Sequence, residues 1–159
     1  MYPPGVARVQ AAASAAGLSI EILEFPGGTR TAQDAADAIG VEVGQIVKSL
    51  VFMIENDLVL ALVSGSNQLD TQALARVAGR EGAKVARPDA EAVRAGTGFV
   101  IGGIPPLGHS ADLATYVDED LLAYDVVWAA AGTAHHNFSI DPKALAQACG
   151  GRVVSIAKR

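Results

Sequence analysis

The chain has 159 residues, 50% of them apolar and 18% charged, which is a globular composition and excludes a disordered one. A single cysteine, Cys149, excludes an intrachain disulfide and a cysteine-based zinc site. A net charge of −5 argues against broad, non-specific nucleic-acid binding but leaves room for local basic sites.

Pro3 and Pro4 suit a helix start and Gly17 its stop, with Val6, Val9, Ala13 and Ala16 on one face. Ile20 to Phe25 reads as a strand that ends at the turn Pro26-Gly27-Gly28. Thr31 is a helix N-cap with Asp34 three residues on, Ala35, Ala36 and Ile39 form the apolar stripe, and Gly40 ends the helix. A helical turn over Val43 to Ile46 leads into a strand over Val47 to Ile54. That strand and Leu58 to Val63 flank Glu55-Asn56-Asp57 as a three-residue hairpin loop.

Gly65-Ser66-Asn67 is a loop, Thr71 to Ala78 a short helix and Lys84 to Ala86 a short strand. Pro88 to Ala95 reads as a helix with proline in its first turn and Gly96 after its end. Strands are expected over Leu113–Val117, Asp125–Ala130, Asn137–Ile140 and Arg152–Ile156. A short helix falls at Asp118–Leu122, a turn at Gly132–His136, and a last helix is capped by Asp141 with Pro142 at its first position. Several strands follow one another through short turns and strict βαβ alternation is absent. The expectation is a single α+β domain over 1–159, with a mixed or antiparallel sheet.

The longest apolar runs, such as Ile101 to Leu107 and Val126 to Ala131, are too short to span a bilayer. Met1-Tyr2-Pro3-Pro4 lacks the basic-then-apolar pattern of a signal peptide. A soluble, cytoplasmic protein without membrane contact is expected. Two segments are locally basic: residues 76–94 at +2, and the stretch from Asp141 onward at +3. On charge alone both read as solvated surfaces.

Two stretches are candidates for chemistry. Lys48 stands among apolar residues at the start of a strand, where it either snorkels to the surface or presents a fixed cation to a phosphate or developing oxyanion. Gly102 to Pro106 holds two glycines and two prolines in five residues. Such a loop is either a plain tight connection or a rigid platform of backbone N–H donors. The three histidines, His109, His135 and His136, form no metal-binding motif, and adjacent residues on a strand face opposite sides. No Gly-x-Ser-x-Gly elbow accompanies Ser64 or Ser66, so neither a metal nor a serine triad is expected.

Thr31-Ala32-Gln33-Asp34-Ala35-Ala36, Ile46-Val47-Lys48-Ser49-Leu50 and Gly102-Gly103-Ile104-Pro105-Pro106-Leu107-Gly108 occur in that order. With Ala131-Gly132-Thr133-Ala134-His135 and Ile140-Asp141-Pro142, they make the chain resemble the YbaK/EbsC family from about Val6 to Ile156. That family comprises relatives of the editing domain inserted in bacterial prolyl-tRNA synthetase. The resemblance implies a mixed, largely antiparallel sheet curled into a barrel-like core with surrounding helices. It implies a trans-editing deacylase that hydrolyses a small mischarged amino acid, such as Ala or Cys, from tRNA, above all tRNA(Pro). No cofactor is implied, and a prolyl-tRNA synthetase is the candidate protein partner.

By the same resemblance Lys48 is the signature lysine, acting as an electrostatic anchor rather than a nucleophile. Gly102 and Pro106 match the family's Gly-x-x-x-Pro loop, whose N–H groups hold the substrate. Thr31, Gly103, Pro105 and Gly132 join the substrate-binding set, together with His135 as a pocket residue and Asn67 and His109 on the rim. Many members that act on Cys-tRNA(Pro) carry Ser-Pro where this chain has Pro105-Pro106. Alanine or another small residue is therefore as good an expectation as cysteine.

Overall fold

The computed structural model describes residues 2–159. Its elements in chain order are α1 (Pro4–Ala15), β1 (Ile22–Glu24), α2 (Ala32–Ile39), β2 (Ile46–Ile54), β3 (Asp57–Ser64), α3 (Thr71–Val77), β4 (Val85–Ala86), α4 (Ala90–Thr97), β5 (Ala114–Asp118), β6 (Val127–Ala130), β7 (His136–Ile140), α5 (Pro142–Ala148) and β8 (Arg152–Val154). Short 3₁₀ turns precede β2 (Val43–Gln45) and β6 (Glu119–Ala123).

The eight strands form one mixed sheet in the order β1-β7-β6-β2-β3-β5-β8, with β4 attached to β2. β1·β7, β2·β3, β2·β4 and β6·β7 are antiparallel; β2·β6, β3·β5 and β5·β8 are parallel. The α+β expectation holds. No ladder joins the outer strands β1 and β8 among the described residues, so the pairings themselves trace an open path.

Both faces of the sheet are covered. Leu60 and Leu62 of β3 point to one face, where they meet Val6 and Val9 of α1, Leu145 of α5, Phe138 and Val127. Val59, Ala61 and Val63 point to the other, against Leu74 of α3, Ile54 and Ile156. This explains why β3 is a continuous apolar run rather than an alternating one. A smaller cluster packs Ala35 and Ala36 of α2 on Ile46, with Trp128 beside it. No helix among the described residues is long and apolar enough to cross a membrane.

Local chemistry sets most boundaries. Thr31 Oγ1 accepts the Asp34 N–H at 3.0 Å to cap α2, and Gly40 closes it in the left-handed conformation at φ 86°. Asp141 caps α5 through the Lys143 N–H, with Pro142 behind it.

Four local expectations need correction. The β2–β3 hairpin has a two-residue turn, Glu55-Asn56, because Asp57 pairs with Ile54; Glu55 takes φ 57° to make it. α4 begins after Asp89, whose carboxylate accepts the Ala92 N–H, and ends at Gly98 rather than Gly96. A side-chain cap thus overrides the start suggested by Pro88. Ala16 is exposed at the end of α1, where Ala12 packs instead. His136 belongs to β7 rather than the preceding turn.

Candidate active-site cleft

A cleft of about 420 Å³ opens along β2 between the start of α2, the Arg87-Pro88 segment and the Ile101–Ile104 loop. Ala32, Ala35, Ile46, Val51, Ile104 and Ala130 give it apolar walls. Its charged lining side chains are Arg30, Lys48 and Arg87; no histidine, cysteine or carboxylate lines it among the described residues. Arg30 and Arg87 are exposed and enter no ion pair among the described residues. The Arg87 guanidinium carbon stands 5.3 Å from the centre of the Phe52 ring, which steadies it over the cleft wall.

Lys48 is half-buried on β2, opposite Val63 of β3. Its ammonium donates to the Asn67 main-chain carbonyl. Behind that contact lies Asp118, a fully buried carboxylate. Asp118 accepts from the Ser64 N–H at 3.1 Å, the Asn67 side-chain amide at 2.8 Å and the Asp120 N–H at 3.0 Å. The same Asn67 amide also reaches Asp120 at 2.8 Å, and Arg159 closes the group on Asp120 at 3.0 Å. Burial pulls the Lys48 pKa below the ordinary lysine value, and the negative charge of Asp118 works against that pull. Asn67 therefore acts on Lys48 from behind, holding it with its carbonyl while its side chain secures the acids.

The glycine-proline loop is braced from below. A methyl group on Gly103 would lie 2.6 to 2.8 Å from three main-chain atoms of Thr133, and one on Gly132 would lie 2.6 Å from the backbone of Gly5. Loop, β6–β7 turn and the start of α1 are thus stacked with no room for a Cβ between them. Gly102 differs: a Cβ there would meet nothing within 4 Å, but its φ of 103° suits glycine alone.

Of the residues that the sequence motifs suggest, Thr31, Lys48 and Gly102 line the cleft together. Asn67, Gly103 and Gly132 lie behind it as described. Pro106 and His109 line a separate depression with Leu107 and Ser110, and the ring of His109 bonds the Pro105 carbonyl at 2.7 Å. Burial holds the pKa of His109 below the usual histidine value. His135 is exposed, with its Nδ1 3.2 Å from the Phe25 carbonyl. Sequence reasoning missed Arg30, Arg87, Ser49 and Asn137 as lining residues. The basic stretch 76–94 was the available signal for Arg87; ion pairs occupy Arg76 and Arg80 of that stretch and leave Arg87 free of them.

The aminoacyl-tRNA editing domain model matches residues 27–148, and the chain belongs to that family. EbsC of Enterococcus faecalis, named as a candidate Cys-tRNA(Pro)/Cys-tRNA(Cys) deacylase, is 28% identical over 130 residues, 81% of this chain and 78% of its own. That likeness is the YbaK/EbsC membership which the sequence motifs anticipate. YwhH of Bacillus subtilis is 31% identical over 128 residues, 80% of each chain. A solved structure described as a candidate trans-editing enzyme for prolyl tRNA synthetase superimposes with a TM-score of 0.92 at 44% identity, covering 100% of both chains. A stretch of 90 residues, 57% of this chain, is 33% identical to part of the proline–tRNA ligase of Thermosipho melanesiensis, of which it spans 15%.

Proposed function

We propose that residues 1–159 act as one cytoplasmic editing domain. It hydrolyses the ester between a small, wrongly attached amino acid and the terminal adenosine of tRNA, tRNA(Pro) above all, working in trans beside a prolyl-tRNA synthetase. The observation that carries this reading is the content of the cleft: three cations, small apolar walls, and no histidine, cysteine or carboxylate among the described residues. A cleft of that kind suits a substrate that is anionic, carries a small side chain and is already activated. An aminoacyl ester meets all three conditions, so positioning and charge stabilisation replace a nucleophile–base pair.

In this reading Arg30 and Arg87 meet the backbone phosphates of the tRNA 3′ end. Lys48 stabilises the charge that develops as a water oxygen adds to the ester carbon, and the N–H groups of the Gly102 loop hold the acyl end. The carbon–oxygen bond to the ribose then breaks and the ribose oxygen takes up a proton. Thr31 contributes from the start of α2. Gly103, Pro105, Pro106, His109 and Gly132 hold the loop, Asn67 holds Lys48, and His135 braces the turn beside Gly28. Ala32, Ala35 and Ala130 set the size limit. The logic is that of a second sieve, which removes what a synthetase pocket cannot reject by size.

The test is deacylation of alanyl-, cysteinyl-, seryl- and prolyl-tRNA(Pro) by the wild type and by Lys48→Ala. We expect rapid loss of one small ester, sparing of the prolyl ester, and a rate at least about 100-fold lower in the variant. A protein that binds tRNA but hydrolyses none of the four would be a binding module and not an editing enzyme.

A further inference from the structure

The cleft opens where β2 has no neighbouring strand. On one edge β2 pairs with β3 from Val47 to Ile54. On the other it pairs with β6 only at Ile46 and Val47, and with β4 only at Met53 and Ile54. The direction of each main-chain group follows from two bonds. The Ile46 carbonyl accepts from the Gly65 N–H at 2.7 Å on the β3 side, and the Glu55 N–H donates to the Lys84 carbonyl at 3.1 Å on the opposite side. Directions alternate along a strand. The groups of Lys48, Leu50 and Phe52 are therefore used by β3, and those of Val47 and Met53 face β6 and β4. Ser49 and Val51 are left with N–H and C=O turned into the gap. Neither has a backbone or side-chain partner for those groups among the described residues. Both residues line the cleft.

We infer that the aminoacyl group of the substrate docks on this edge as a strand one residue long, its α-ammonium donating to the carbonyl of Ser49 or Val51 and its ester carbonyl accepting from the N–H of the same residue. The inference rests on the deacylase reading above. Three observations carry it. The edge groups have no protein partner among the described residues and face the cleft as a donor–acceptor pair. The cleft holds cations and no acid, so an ammonium must be held by neutral acceptors. Ser49 also carries a buried hydroxyl with no partner among the described residues, a further unmet polar group on the same residue.

The geometry suits the chemistry. In an antiparallel ladder two opposed residues exchange both of their bonds, and an aminoacyl ester carries its donor and acceptor at the spacing of one residue. The edge N–H then points at the ester oxygen, where charge grows during hydrolysis. Main-chain pairing leaves the amino-acid side chain unread, so its size is judged by the cleft walls alone.

The probe pair is alanyl- and propionyl-tRNA(Pro), which differ only in the α-ammonium. Seryl with 3-hydroxypropionyl, or cysteinyl with 3-mercaptopropionyl, replaces it when the alanyl ester is not the one turned over. Each rate is divided by that of uncatalysed hydrolysis, because the ammonium itself activates an ester. We expect the acceleration of the deamino ester to be at least about tenfold smaller; equal acceleration overturns the inference. Ser49→Pro and Val51→Pro each remove one gap-facing N–H and no bond to β3. One of the two is expected to lose at least about tenfold in kcat while keeping its thermal midpoint within a few degrees. Two folded proline variants with wild-type kcat would also overturn it. Should a proline variant fail to fold, the substrate pair on the wild type decides. A wild type inert on every ester of the panel fails the deacylase reading, and this docking falls with it.

Discussion

Gly103→Ala tests the stacking beneath the glycine-proline loop. The new methyl carbon would sit 2.6, 2.7 and 2.8 Å from the Cα, carbonyl carbon and nitrogen of Thr133. Ordinary contact begins near 3.4 Å, so loop or turn must move by roughly 0.7 Å. The turn cannot retreat, because Gly132 already lies against Gly5 with no room for a Cβ. Displacement therefore falls on the loop and shifts Gly102 and Ile104 from their places in the cleft lining. Overpacking of this kind costs about 1–3 kcal/mol. For a chain of this size that lowers the thermal midpoint by roughly 4–8 °C at the middle of the range. The assay pairs thermal unfolding, followed by circular dichroism, with deacylation measured well below the midpoint. Activity per folded molecule is expected to fall about tenfold or more, since displacements near 1 Å are costly at a reacting centre. Gly102→Ala is the control: its Cβ meets open space, so its cost comes from φ 103° alone. A Gly103→Ala protein with unchanged midpoint and activity would refute the stacking argument.

Two further outcomes follow from the charges. Arg30→Ala and Arg87→Ala are each expected to flatten the dependence of log KM on log salt for aminoacyl-tRNA by about 0.7, while hydrolysis of a small aminoacyl ester without phosphates is unaffected. An unchanged slope would remove either residue from the phosphate contacts. Lys48 carries its charge below its pKa, which burial lowers and Asp118 raises. Enzymatic deacylation, corrected for spontaneous hydrolysis, should fall as pH rises through that lowered pKa. Asp118→Asn removes the opposing negative charge, so the alkaline limb should move to lower pH. A limb that stays in place or moves upward would show that the lysine charge is not what the rate follows.

Much of the fold was legible because it is written in short-range chemistry. The Thr31 cap with its Gly40 stop, the Asp141-Pro142 start and the β2–β3 hairpin each need only a few adjacent residues. The errors were local as well: Asp89 outcompeted Pro88 as the signal for the start of α4. The cleft was only partly legible. Lys48 and Gly102 stood out by composition, and Thr31 by its cap. Arg30, Arg87 and Ser49 look like ordinary surface or strand residues until β2 is placed between two partners that each cover only one end of it. That placement depends on pairing Ile46 with Trp128, far apart in the chain, which no local pattern encodes. The same holds for Asp118, which reads as the first residue of a short helix until the hairpin brings Ser64 and Asn67 to it.

The cations of the cleft sit on a chain whose net charge is −5. Lys48 has the buried Asp118 behind it, so the outward field at the mouth comes mainly from Arg30 and Arg87. Averaged over the whole chain, a polyanion meets its own sign of charge. A concave mouth lined by cations focuses the field there and attracts an anionic group small enough to enter it. For the deacylase proposed above, this arrangement would discriminate by direction of approach before contact: a nucleic acid would be favoured tip first at the mouth of the cleft.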